Sequence, residues 1–137
     1  MEYVRLTNTD LVVSRIAFGC EPLGGVDWGR VEAEEVAGAV RTAIGLGINF
    51  FDTADIYGLG RSEERLAKTL GEGRKQAVIA SKFGIGWVAG PGPGRARTFR
   101  DASARRVREA LEASLRRLQL ECIPLYFLHW PDPLTPL

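Results

Sequence analysis

Histidine and cysteine are scarce in this sequence, with one His and two Cys in 137 residues. Cys20 and Cys122 lie far apart, without the close pairing that structural zinc sites use, so no metal centre is expected. Met1 to Asp10 alternate polar and apolar residues and do not form the apolar run of a signal peptide. The two thiols therefore read as reduced and structural, in a chain whose default location is the cytoplasm. Neither sign of charge dominates: 18 Lys and Arg face 17 Asp and Glu, for a net charge of +1. That balance argues against a dedicated nucleic-acid or membrane-surface binder. No apolar run approaches the ~20 residues that span a bilayer. The Gly-x-Ser-x-Gly elbow of a serine hydrolase is absent as well. The nearest approach to a dinucleotide-binding G-x-G-x-x-G is Gly84, Gly86 and Gly90, which is wrongly spaced and runs into Pro91 where a helix should begin.

What remains is the composition of a globular domain, 45% hydrophobic and 26% charged, long enough to bury a core. The opening YVRLTNTDLVVSRIAFG predicts two short strands joined through Thr7 to Asp10, then a short strand at Ile16 to Phe18 that stops at Gly19. A glycine-rich loop, Glu21 to Arg30, follows. From Glu32 to Leu46, Val36, Ala39, Val40, Ala43 and Ile44 share a helical face, acidic residues crowd the first turn, and Gly47 ends the helix. Ile48 to Phe51 is the next strand, and Ser62 is a candidate cap for a helix that closes at Gly71. Ala77 to Ala80 is a third strand, and Gly84 to Gly94 a Gly/Pro loop that cannot be helical. Ser103 caps a third helix bearing Val107, Ala110, Leu111, Leu115 and Leu118. Leu125 to Leu128 forms a last strand ending at His129, and Pro131, Pro133 and Pro136 stop regular structure.

Strands alternating with helices imply parallel βαβ units, either in an open doubly wound sheet or in a (β/α) barrel. Strand parity favours the barrel. Phe50 and Asp52 share a face, as do Val78, Ala80 and Lys82, and likewise Phe127 and His129. Each apolar series thus ends in an ionisable residue at the carboxyl end of its strand, where barrel enzymes assemble their sites. Tyr57 lies in the turn just beyond Asp52.

These same residues carry a family resemblance. GINFFDTADIYGLGRSEERLAKTL (Gly47 to Leu70) resembles a long aldo-keto reductase signature, VIASKFG (Val78 to Gly84) that family's lysine-bearing strand, and LYFLHWPDP (Leu125 to Pro133) its histidine strand. The resemblance covers nearly the whole chain in family order. It implies the amino-terminal half of a TIM-type barrel: residues 1–15 as a hairpin plug at the barrel floor, and 16–137 as the first four strands and three helices. It further implies NAD(P)H-dependent reduction of aldehydes and ketones, NADP(H) being the expected cofactor and a small carbonyl compound the substrate. Asp52, Tyr57, Lys82 and His129 match the catalytic residues. A carbonyl accepting a hydride develops alkoxide charge and needs a proton donor and a polarising group. By resemblance Tyr57 is that donor. Lys82 favours the phenolate left behind, Asp52 holds Lys82, and His129 hydrogen-bonds the carbonyl oxygen. Gly19, Cys20 and Asp52 fall where the family's chain approaches the nicotinamide ribose, Cys20 standing where a small polar residue is usual. Trp28 and Trp130, with Tyr57 and His129, match the substrate pocket.

Departures from the family pattern are few in sequence but large in extent. Ala67 replaces a glycine, Ala104 to Arg106 a Pro-Glu helix start, and Ile123-Pro124 an acidic approach to the last strand. A complete barrel takes roughly 250 residues, and the second half would supply most of the cofactor site. Alternative readings are therefore a non-catalytic half-barrel that self-associates through exposed strand edges, or a non-enzymatic binding or regulatory member of the fold. A homodimer or a complementing second half-barrel is the expected partner. The arginines at 95, 97, 100, 105, 106 and 108 are interrupted by Asp101 and Glu109 and read as a solvated helix face.

Overall fold

The computed structural model describes residues 1–26, 28, 31–90 and 96–136. Arg30, Arg95 and the 91–94 part of the expected Gly/Pro loop lie outside the described residues. Strands β1 (Tyr3–Arg5) and β2 (Val12–Ser14) pair antiparallel. Between them Asn8 takes a left-handed conformation at φ 61°, and the Thr9 hydroxyl donates to the Leu6 carbonyl at 2.9 Å. Asn tolerates that conformation better than most residues, which is why the predicted turn falls here. The Asn49 side chain links the hairpin to the next layer, accepting from Ser14 N at 2.7 Å and donating to the Val12 carbonyl at 3.0 Å. Asn49 immediately precedes a barrel-type strand, so the hairpin sits at the amino-terminal edge of the sheet.

That sheet is built from β3 (Phe18–Gly19), β4 (Phe50–Asp52) and β5 (Val78–Phe83). After β5 the chain makes β6 (Ile85–Ala89) and β7 (Ala96–Arg100), then returns to the sheet as β8 (Leu125–Leu128). Helices α1 (Ala33–Gly45), α2 (Arg61–Leu70) and α3 (Ala104–Leu118) occupy the three crossovers. Among the described residues the main sheet is wholly parallel, in the order β3-β4-β5-β8. The order follows the chain without the reversal that marks a doubly wound sheet. This is the α/β arrangement of part of a (β/α) barrel.

The ends of α1 and α3 follow from local chemistry. At the end of α1, Gly47 is left-handed at φ 85°, its N–H bonds the Ile44 carbonyl, and Ile48 N–H reaches back to Ala43 O at 2.9 Å. Glycine supplies that geometry without a Cβ penalty. The Ser103 hydroxyl accepts from Arg106 N at 3.3 Å, as an N-cap should. The third expected cap is corrected: Gly60, not Ser62, precedes α2, and Ser62 lies inside the helix, fully buried, with its hydroxyl donating to the Cys20 carbonyl at 2.7 Å. The buried side of α1 keeps Val36, Val40 and Ala43 of the expected face but is rotated slightly from it. Ala37, Val40 and Ala43 face the core, whereas Ala39 and Ile44 are exposed.

Cys20, Leu23, Val40, Phe51, Leu66, Leu70, Ile79, Leu118 and Ile123 form the core between helices and sheet. Phe51 and Ile79 are paired neighbours on that helix-facing side, so Phe50, Asp52, Val78, Ala80 and Lys82 point to the other, as parity required. Cys20 is buried in this core and Cys122 is exposed, and neither is in a disulfide. An ionic contact also lies between helices and sheet: the fully buried Glu63 carboxylate accepts from the Ser81 hydroxyl and from Arg117 Nε, each at 2.6 Å.

The stretch expected as a loop from Gly84 is instead half of an antiparallel hairpin, with Ile85 opposite Arg100 and Trp87 opposite Thr98. Pairing with a segment about ten residues away overrides the poor strand propensity of Gly86. Among the described residues, no helix is long and apolar enough to cross a membrane.

Candidate active site

Three strands of the sheet, and the turn after one of them, deliver side chains to one end. β4 finishes with Asp52, β5 carries Lys82 as its penultimate residue, and His129 follows β8 directly. The Lys82 ammonium donates to Asp52 Oδ2 at 2.8 Å, to the Thr53 carbonyl at 2.9 Å and to the Tyr57 hydroxyl oxygen at 3.2 Å. An ammonium has three hydrogens and no acceptor, so all three are committed. Tyr57 must accept in its contact with Lys82, which leaves its own O–H hydrogen free to point elsewhere. Nζ also lies 4.8 Å from the centre of the Tyr57 ring. On the far side the His129 ring meets Tyr57 edge-on, with centroids 5.7 Å apart. Burial, then the Lys82 charge, holds His129 below the ordinary imidazole range, which keeps it neutral near pH 7. Its Nδ1 is buried without a hydrogen-bond partner among the described residues. The four expected residues are thus brought together.

The scaffold under them is backbone-dense. Cys20 N donates to the Asp52 carbonyl at 2.8 Å, and Thr53 and Ser62 hydroxyls meet at 2.9 Å beneath it. The Tyr57 turn is held by contact between two glycines: a Cβ on Gly58 (φ 61°) would lie 2.3 Å from Gly24 O and 2.6 Å from Gly24 Cα. Both neighbours are main-chain atoms that cannot rotate away. Gly58→Ala is therefore expected to lower stability by roughly 2–4 kcal/mol. Gly45, with nothing within 4 Å of an added Cβ, should accept alanine at no cost. Urea denaturation of the two variants checks the contrast, and equal midpoints would refute the account of Gly58.

Gly19, Cys20, Glu21, Pro22, Trp28, Asp52 and Tyr57 line a depression of about 230 Å³ beside the cluster. Gly19, Cys20 and Asp52, expected on the cofactor side, and Trp28, expected in the substrate pocket, border this one depression. The Cys20 thiol, however, is fully buried and turned inward, and burial pushes its pKa upward, so only its backbone borders the depression. Trp130 goes elsewhere. It is half-exposed under the Arg100 guanidinium, 5.6 Å from the ring centre, and does not line this depression.

Two contributors escaped the sequence reading. Thr53 acts through its carbonyl, which leaves no trace in residue type. Arg106, grouped with the solvated arginines, turns inward to Asp55 and the Ile85 carbonyl, whereas Arg105 pairs on the surface with Glu109. Among the described residues no group of three or more His, Cys, Asp or Glu could hold a metal ion.

The family model for the Aldo/keto reductase family matches residues 15–137. The chain is 38% identical over 139 residues to the aldo-keto reductase YhdN of Bacillus subtilis, covering all of this chain and 40% of that protein. It is 39% identical over 132 residues to L-galactose dehydrogenase of Arabidopsis thaliana, covering 94% of this chain and 38% of the relative. The glycerol dehydrogenase AKR11B4 from Gluconobacter oxydans superposes with a TM-score of 0.86 at 39% identity, over 98% of this chain and 41% of that one. The chain accordingly spans about 40% of the length of these relatives. With the family model matching nearly end to end and the fold superposing on a solved relative, this chain belongs to the aldo/keto reductase family.

Proposed function

We propose that this chain carries the proton-transfer half of an NADP(H)-dependent carbonyl reductase, with Tyr57 donating the proton to the carbonyl oxygen. The observation that supports it is the three-way commitment of Lys82, which pairs with Asp52 and presents a positive charge to the Tyr57 oxygen. The ammonium stabilises the phenolate that remains after transfer, and Asp52 and the Thr53 carbonyl keep it in place. A neutral His129 beside the ring offers an imidazole N–H to the same carbonyl oxygen without competing as a strong acid.

The depression beside Tyr57 suits the nicotinamide end of the cofactor. An added Cβ on Gly19 would meet nothing within 4 Å, so the main chain of Gly19 and Cys20 offers a flat, open approach. Asp52 and Trp28 form its sides. When bound there, a reduced nicotinamide supplies the hydride. The relatives' names, L-galactose dehydrogenase and glycerol dehydrogenase, point to small hydroxylated aldehydes and ketones as the substrate class.

Joining this chain to the complementary second half-barrel of YhdN should give a protein that quenches NADPH fluorescence on binding and oxidises NADPH in the presence of glyceraldehyde. A folded assembly that neither binds NADPH nor turns over would sink the proposal.

A further inference from the structure

Asp55 lies two residues before Tyr57 and is 1% exposed, yet no side chain hydrogen-bonds either carboxylate oxygen among the described residues. Its counter-charge comes from another element. Arg106, in the first turn of α3, places Nη2 3.6 Å from Asp55 Oδ2. The same Nη2 donates to the Ile85 carbonyl at 3.2 Å, and the guanidinium lies 5.5 Å from the centre of the Trp87 ring. One side chain therefore touches both the turn that carries Tyr57 and the β6–β7 hairpin.

The other charged and titratable groups facing Asp55 are Glu63 on α2, Arg117 on α3 and Tyr126 on β8, whose hydroxyl is also without a partner among the described residues. Glu63 is already paired with Arg117. The charge left to balance Arg106 is that of Asp55. Protonating Asp55 would leave a half-buried guanidinium without its counter-ion, an arrangement a low-dielectric site disfavours.

We infer that Asp55 and Arg106 form a pH-responsive clamp fixing the turn that carries Tyr57 to the β6–β7 hairpin, closed when Asp55 is ionised and loosened when it is protonated. Burial, then repulsion from Glu63, raises Asp55 to about 7, partly offset by Arg106, Arg117 and the Ile56 N–H. The switch therefore falls in the neutral range. Because the folded-state value is raised, the folded chain binds this proton more tightly than the unfolded chain does. Asp55's contribution to stability is thus greatest in acid and declines as pH rises from about 4 towards 7. Any consequence for carbonyl reduction rests on the reading of Tyr57 above, whereas the clamp itself does not.

Trp87 is the reporter. With Trp28→Phe and Trp130→Phe it is the sole tryptophan of three, and its emission can be followed from about pH 5 to about pH 9. A single transition with a midpoint of about 7 is expected. Asp55→Asn, which mimics the protonated carboxyl, should remove it and give the acid-form emission at every pH. Arg106→Gln should remove it too, and it provides the test if circular dichroism shows that the Asn variant does not fold. Absence of a transition in the parent, or its survival in either folded variant (as titration of His129 would produce), overturns the inference. The readout needs no turnover, so failure of the reductase reading would leave it unaffected.

Discussion

Replacing Tyr57 by phenylalanine, in a chain completed by a second half-barrel, is expected to slow carbonyl reduction by about 10²–10⁴-fold, the usual worth of a positioned general acid. The substitution is narrow. Phenylalanine keeps the ring that meets His129 edge-on and lies 4.8 Å from the Lys82 ammonium, and it keeps the wall of the depression beside Gly19. Only the hydroxyl is lost. NADPH affinity should therefore stay within a few-fold of the parent while kcat falls, and turnover close to the parent's would refute the role assigned to Tyr57.

The second large effect concerns the 137-residue chain by itself, which is expected to self-associate, most simply as a dimer. β3 pairs only with β4 and β8 only with β5 among the described residues, so both edges of the main sheet present unpaired main-chain groups. The face opposite the helices is unevenly open. Val78 and Ala80 on it are buried, but Phe127, opposite Lys82 on the edge strand, is 46% exposed. Covering such side chains is worth roughly 25 cal/mol per Å² of apolar surface. Two half-barrels meeting face to face would pair both edges at once. Sedimentation equilibrium across a wide concentration range is the measurement, and a compact 15.0 kDa monomer throughout would contradict the expectation.

Much of this molecule was legible because its signals are local. The turn at Asn8, the glycine at 47, the Ser103 cap and the strand Leu125–Leu128 each depend on a few adjacent residues, and each lies where expected. Period-two parity was enough to put Asp52, Lys82 and His129 on one side, since pairing register preserves it. What escaped depends on partners distant in sequence. Ser62 looks like a cap until the Cys20 carbonyl is placed beside it, 42 residues earlier. Arg106 looks like its solvated neighbour Arg105 until Asp55 and Trp87 close around it. Ile85–Ala89 looks like a loop until Ala96–Arg100 lies alongside. Nothing in the residue types announces Thr53, which serves through a carbonyl.

The hairpin departs from the sheet at Gly84 and rejoins the main path at Asp101, and these two residues are themselves joined, Asp101 N donating to the Gly84 carbonyl at 3.1 Å. Exit and return are stapled together, so the excursion between them is a module hung on a fixed hinge point. Arg100, at the end of its returning strand, reaches the Pro131 carbonyl and covers Trp130, next to His129. The base of this insert is thus tied to both flanks of the site, through Arg100 to Trp130 beside His129 and through Arg106 to the turn that carries Tyr57.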